Sequence, residues 1–150
     1  QSRCSSCWSC CSSSLRPDSL LTAMNIQPNV QAAAELAIDK LMGEAKGIKA
    51  VVVSTEDGFE VAARTENTAQ VARLSAIASS LAALGAVAGE ESRLGVCNSL
   101  VIEAEHGHIV MVQARHPGVD LIVSVVTGRD AIIGQVLYFT KQAAQALSES

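Results

Sequence analysis

Four cysteines lie within the first eleven residues, and their spacing is the most direct suggestion of chemistry in the chain. Cys4, Cys7 and Cys10 are separated from one another by two residues, and Cys11 follows at once. Thiolates spaced in this way bind zinc or an iron–sulfur cluster. A closed metal site also needs a fold around it, and the fifth cysteine, Cys97, lies far along the chain among apolar residues. A metal site here is therefore the weaker of two interpretations.

The stronger interpretation is that this segment is an extension outside the folded domain. Residues 1–23 contain eight serines and four cysteines but few large aliphatic side chains. Such a segment cannot bury enough apolar surface to offset the entropy lost on ordering it. We therefore expect a disordered Ser/Cys-rich extension over residues 1–23, native or not, followed by one domain over residues 24–150.

Other side chains that could bind metal or react lie in the second half of the chain. Four of them lie in one predicted hairpin: Glu103, Glu105, His106 and His108. Because side chains alternate between the two faces of a strand, these four do not converge as metal ligands. Cys97 lies in an apolar predicted strand, where a thiol behaves as a small hydrophobe. The sequence also lacks a G-x-S-x-G nucleophile motif and a phosphate-binding loop. We therefore predict no enzyme, no cofactor and no metal site.

Composition limits the class of partner. The chain has 150 residues, a net charge of −4, 49% hydrophobic residues and 3% aromatic residues. This length suits a single domain, and nucleic-acid binding would need clustered Lys and Arg that this sequence lacks. The longest uncharged stretch, residues 74–89, is shorter than the roughly 20 residues of a membrane span. With no signal-peptide pattern at the start, we expect a cytoplasmic protein without a membrane span.

The apolar pattern predicts eight elements in the order helix, strand, strand, helix, three strands, helix. The first helix is expected to begin at Asn29, and a capping signal at Asn67 predicts a long middle helix ending near Glu91. A third strand is expected to begin near Arg93. Thr127, with an acidic residue three positions later, predicts the start of the last helix.

The strands indicate how these elements are layered. Tight turns between successive strands predict antiparallel neighbours, yet three strands carry continuous apolar runs, at residues 51–53, 109–112 and 121–123. A strand without a polar face is covered on both sides. Three helices must then divide over two faces, which predicts a three-layer α/β/α sandwich around a five-stranded, mostly antiparallel sheet.

This order of elements resembles the Roadblock family, which is related to the roadblock-type dynein light chains, and the resemblance covers residues 29–147. Four stretches carry it: AVVVSTEDGFEVAAR, VARLSAIASSLAALGAVAGEE, SLVIEAEHGHIVMVQA and LIVSVVTGRDAIIGQV. The resemblance implies a roadblock/profilin-like sandwich with the first and last helices on one face and the middle helix on the other.

The resemblance also implies a function. Roadblock domains are non-enzymatic modules that form homodimers or heterodimers through the middle helix and the third strand of each partner. They serve as scaffolds or regulators for small Ras-like GTPases, motor assemblies or polarity complexes, and stand-alone bacterial members commonly pair with such a GTPase. A small-ligand sensor remains the alternative function, because antiparallel sheets with flanking helices also form pockets.

The middle helix is the candidate dimer interface. Residues 74–89 carry no charge and are rich in small side chains, and a helix that is apolar all round is buried all round. We therefore expect its outer side to meet another subunit. The predicted interface residues are Ala78, Ala82, Gly85, Ala86 and Gly89, with Val96 and Leu100 from the predicted third strand.

Four arginines are candidate contacts for a GTPase partner: Arg64, Arg93, Arg115 and Arg129. An arginine finger stabilises the transition state of GTP hydrolysis. Holding the partner's switch loops in place is a second route, which needs surface rather than one particular residue.

Overall fold

The computed structural model describes residues 28–149, which form a five-stranded sheet between two helical layers. The elements in chain order are α1 (Pro28–Glu44), β1 (Ile48–Thr55), β2 (Glu60–Arg64), α2 (Thr68–Glu91), β3 (Ser99–Ala104), β4 (Gly107–His116), β5 (Val119–Gly128) and α3 (Ile133–Glu149). The order of elements predicted from the sequence is confirmed. The predicted extension over residues 1–23 lies outside the described residues.

The sheet has the strand order β2-β1-β5-β4-β3, and each neighbouring pair is antiparallel. β5 lies at the centre, paired with β1 on one side and β4 on the other. The chain therefore leaves β2 and β3 as the two edge strands. One edge of β3 carries backbone groups without a strand partner in the described part of the chain.

The helices divide over the two faces as predicted, with α1 and α3 on one face and α2 on the other. The α1/α3 face holds the larger core, which includes Ile38 and Leu41 from α1, Val125 from β5 and Leu147 from α3. A smaller core lies under α2, formed by Ala78 and Ala82 of α2 with Met111 and Ile122 of the sheet. Successive residues of β1 and β5 are buried, which explains their continuous apolar runs.

The predicted start of α2 is confirmed in its local chemistry. The Asn67 side chain accepts a hydrogen bond from the backbone N–H of Ala69 at 3.0 Å, which satisfies one of the donors left free at a helix start. The helix ends at Glu91, as the sequence predicted.

The predicted start of α3 is wrong by six positions. Thr127 lies in β5, paired with Ile48 of β1 and His108 of β4, and its hydroxyl donates to the His108 carbonyl oxygen at 3.3 Å. These long-range strand contacts prevail over the local capping pattern, so the helix begins only at Ile133.

The predicted start of the third strand is also wrong. Arg93 adopts a positive φ of 58° and Gly95 one of 91°, which turns the chain after α2. Residues 94–98, here called the strap, then run irregularly to β3, which begins at Ser99. The sequence had predicted that Val96 and Cys97 lie in the third strand. In the structure both lie in the strap that precedes it.

Candidate interaction surface

The middle helix α2 has two different apolar faces. Its inward face consists of Val71, Ser75, Ala78 and Ala82, which are buried in the chain. Its outward face carries larger side chains that have no cover in the single chain, so α2 is not buried all round within one molecule.

Five large apolar side chains are exposed on the outward face of α2 and on the strap that follows it. With their exposed fractions, they are Ile77 (50%), Leu84 (64%), Val87 (56%), Leu94 (84%) and Val96 (62%). Isolated exposed apolar residues are common, whereas a group of them on neighbouring segments marks an interaction site. We call these five residues the apolar surface.

Two of the small residues on α2 are explained by contacts inside the chain. A Cβ at Gly85 would lie 2.9 Å from the Cys97 Sγ atom and 3.1 Å from a methyl carbon of Leu100. A Cβ at Gly89 would collide with the carbonyl oxygen of Gly95. The two glycines therefore allow the strap and β3 to approach the backbone of α2 closely.

These contacts refine the predicted dimer interface, which itself stays a prediction. Ala78 and Ala82 are covered by the chain's own sheet, and Gly85 and Gly89 face the strap and β3. Ala86 is exposed. Ala86 lines the groove between α2 and the strap. A second subunit that packs on the outward face of α2 would thus meet the apolar surface. Ala78 and Ala82 let the helix lie close to the sheet, and Gly85 and Gly89 let the strap and β3 lie close to the helix.

A matched pair of glycine substitutions tests the close approach of the strap. Gly89→Ala is expected to destabilise the protein by about 1–3 kcal/mol, because the new Cβ must displace the Gly95 carbonyl. Gly43→Ala, in helix α1 with no atom within 4 Å of the new Cβ, is expected to stabilise it by up to about 1 kcal/mol. Urea unfolding of both variants at one protein concentration measures the difference. Stabilisation by both changes would contradict the close contact.

The four candidate arginines lie on different segments. Arg64 is at the end of β2, where its Nη2 atom is 3.1 Å from an Oδ1 atom of Asp39 on α1. Arg93 follows α2, and Arg129 lies in the turn before α3. Arg115 is exposed on β4 beside the strap.

Two open grooves flank the strap. They lie where the last residues of β4 extend past Ser99, the first residue of β3. The register of these strands ends at the pair of Ser99 with Val112, whereas β4 continues to His116. The groove on the α3 side has a volume of about 610 Å³ and that on the α2 side about 520 Å³. Val96 and Arg115 line both of them.

The groove on the α2 side holds carboxylates that the sequence pattern did not single out. Glu56 follows β1, Glu90 is near the end of α2, and Asp120 is in β5. They are distant in sequence and belong to no motif, so only the fold brings them to one groove. Asp120 and Glu56 are linked directly, since the backbone N–H of Glu56 donates to the Asp120 carbonyl oxygen at 3.1 Å.

Metal-binding and reactive side chains are dispersed over the described residues. No three His, Cys, Asp or Glu residues between positions 28 and 149 group so that they could hold a metal ion. Glu103, Glu105 and His106 are exposed at or near the β3–β4 turn. Cys97 has a free thiol that donates to the Ser99 carbonyl oxygen at 3.6 Å. The cysteines of residues 4–11 lie outside the described part.

By length and composition, one helix of the described chain, α2, is long and apolar enough to cross a membrane. In the 18-residue window of this helix that meets the criterion, 22% of the window is buried within the molecule. The uncharged stretch over residues 74–89 is only part of this helix, and the absence of a membrane span stays a prediction.

Solved structures share this fold, although no family model and no curated protein sequence matches the chain. A Roadblock/LC7 domain from Streptomyces avermitilis superposes with a TM-score of 0.67 and 18% identity, over 76% of this chain and 93% of that one. The gliding protein MglB from Thermus thermophilus gives a TM-score of 0.71 and 16% identity, over 83% and 92%. A structure of MglB in a tetrameric arrangement gives 0.73 and 17%, over 83% and 91%. The chain therefore has the Roadblock-type fold that its sequence predicted.

Proposed function

We propose that this protein is a non-enzymatic, cytoplasmic interaction module that forms a homodimer through α2 and β3 and regulates a small Ras-like GTPase by direct contact. The observation that carries the proposal is the outward face of α2, where Ile77, Leu84 and Val87 are exposed on a helix without charge from residue 74 to residue 89. An exposed face of this kind needs a cover.

A second copy of the chain is the best-supported partner to bury the outward face of α2. Most homo-oligomers are closed by a twofold axis, which requires a self-complementary patch. The uncharged outward face of α2 can be self-complementary, because two copies of it bring no unpaired charge into the contact. β3 is an edge strand that contacts α2 through Leu100 and Gly85, and its free edge can pair with its own copy across the axis. MglB, whose fold this chain shares, is itself known in a tetrameric arrangement.

A lipid bilayer is a poorer cover for α2. Ala78 and Ala82 of this helix are packed against Met111 and Ile122 of the sheet. Insertion across a bilayer would separate these residues and leave one face of the sheet exposed to water. Binding to phospholipid vesicles with loss of the dimer would contradict our choice of cover.

The GTPase partner follows from the resemblance to Roadblock domains, and the four arginines bear on the mechanism. Arg64 is paired with Asp39, and Arg115 lies on a strand. Arg93 and Arg129 lie in short turns, so the described chain offers no arginine on a long mobile loop. We therefore favour a mechanism in which the joined surface of the dimer holds the switch loops of the GTPase in place.

Single arginine substitutions test this mechanism once the GTPase is captured from the native cell. Each of the four Arg→Ala changes is expected to lower the stimulation of GTP hydrolysis less than about tenfold, because no one guanidinium carries the effect. Breaking the dimer is expected to abolish stimulation. Loss of about 10³-fold or more from one Arg→Ala change, with binding retained, would instead establish an arginine finger.

The small-ligand sensor is the less supported function. The space between α2 and the sheet, lined by Ala78, Leu100 and Met111 among others, has a volume of about 10 Å³. This is room for about one water molecule and not for a metabolite. The two grooves beside the strap are larger, but they are open to solvent.

A further inference from the structure

Three buried serine hydroxyls make no hydrogen bond to any group within residues 28–149. Ser54 and Ser124 are 0% exposed and Ser75 is 1% exposed, and the Oγ atom of each makes no hydrogen bond within the described part of the chain. A buried hydroxyl without a partner loses its hydrogen bonds to water and gains none in return. Native proteins leave few such groups, so three in one domain require an explanation.

All three hydroxyls belong to the contact between α2 and the sheet. Ser124 of β5 pairs with Val52 of β1, and Ser54 pairs with Ile122. Ile122 belongs to the core under α2, and because partners across the strands share a face, Ser54 and Ser124 point to that same side. Ser75 lies on the inward face of α2. The contact between helix and sheet thus holds three unsatisfied polar groups.

The apolar side chains that α2 buries against the sheet are mostly small. Besides Ser75, the buried residues of α2 are Val71, Ala78 and Ala82, and the leucines that pack against this core, Leu74 and Leu81, are only partly buried. On the opposite face, α1 and α3 bury larger side chains such as Ile38, Leu41 and Leu147. The free energy gained on burial is roughly proportional to the apolar area, so α2 is held to the sheet more weakly than α1 and α3 are.

We propose that α2 is a docking element, which opens from the sheet as a unit while the α1/α3 face of the domain stays folded, and which the second subunit closes. Proteins open locally where few apolar contacts hold a segment. Since the dimer forms only on docked α2, association shifts the equilibrium towards the closed helix. The regulatory role rests on the proposed dimer: the surface offered to a partner is complete only when two copies meet.

Hydrogen exchange of the full chain over a range of protein concentrations tests the opening, with sedimentation run in parallel. Amides of α2 are expected to exchange faster than those of α1 and α3, and to slow as the dimer forms. Ser75→Ala is expected to slow exchange in α2 about tenfold, because it removes an unsatisfied hydroxyl from the closed state. Ser80→Ala is the matched control on the same helix, since Ser80 is exposed and gains the same helix propensity. Because Ser80 lies between Ile77 and Leu84 on the outward face of α2, the two serine variants are compared at protein concentrations where the chain is a monomer.

The outcomes separate this inference from the proposed function. Equal exchange in α2, α1 and α3, or equal effects of Ser75→Ala and Ser80→Ala, would overturn the docking element. If the dimer forms and the exchange of the α2 amides stays unchanged, the proposed coupling between dimer formation and the opening of α2 is overturned. A chain that sediments as a monomer throughout would overturn the proposed dimer and its coupling, while faster exchange in α2 with a selective effect of Ser75→Ala would still support the opening.

Discussion

The substitution Leu84→Glu is expected to weaken the dimer by about 10²-fold to several thousand-fold. Leu84 is 64% exposed on the outward face of α2, where the proposed partner covers it. An uncompensated charge in a dry contact costs about 3–5 kcal/mol, which corresponds to this loss of affinity. Sedimentation equilibrium of the parent and the variant measures the change.

The control for this experiment is Leu36→Glu. Leu36 is as exposed as Leu84, but it lies on α1, on the opposite face of the sheet. This variant is expected to stay dimeric, and both variants should keep the circular dichroism of the parent. Ala82→Glu is unsuitable, since Ala82 is buried in the core under α2 and a glutamate there would disturb the fold itself. Equal affinities for the parent and Leu84→Glu would place the interface elsewhere.

The second large effect is expected in the core of the α1/α3 face. Leu41→Ala should lower the free energy of unfolding by about 2–5 kcal/mol, because Leu41 is 1% exposed and its removal leaves a cavity. The same change at Leu36, on the same helix, should alter it by less than about 0.5 kcal/mol. Urea unfolding at a single protein concentration gives both values, since the stability of a dimer depends on concentration.

The comparison of these two leucine variants also tests the layer assignment. If Leu36→Ala proved as costly as Leu41→Ala, α1 would have to be covered on its outer side as well. A small effect of both would mean that the larger core is not the one that stabilises the fold.

The elements that the sequence predicted well are those set by local pattern. The continuous apolar runs of β1 and β5 required cover on two faces, and the side chain of Asn67 is chemically suited to cap a helix. Thr127 has the same kind of local signal, yet it lies in β5 because its partners Ile48 and His108 are far away in sequence. A local pattern does not reveal such pairing.

The interaction surface was predictable in outline but not in detail. An uncharged helix of small residues indicated a contact surface, and its glycines suggested close packing. The sequence does not show that the strap returns to α2, so Gly85 and Gly89 could be assigned equally well to a partner subunit. The buried hydroxyls of Ser54, Ser75 and Ser124 carry no pattern at all, since only the fold brings them under one helix.

The mass of the unmodified protein in solution tests the central claim most directly. Sedimentation equilibrium across the micromolar range is expected to give a mass of twice 15.6 kDa, the mass of one chain, with dissociation only at the lowest concentrations. A mass of 15.6 kDa at every concentration would contradict the account, because the outward face of α2 would then be stable in water without the partner that we propose for it.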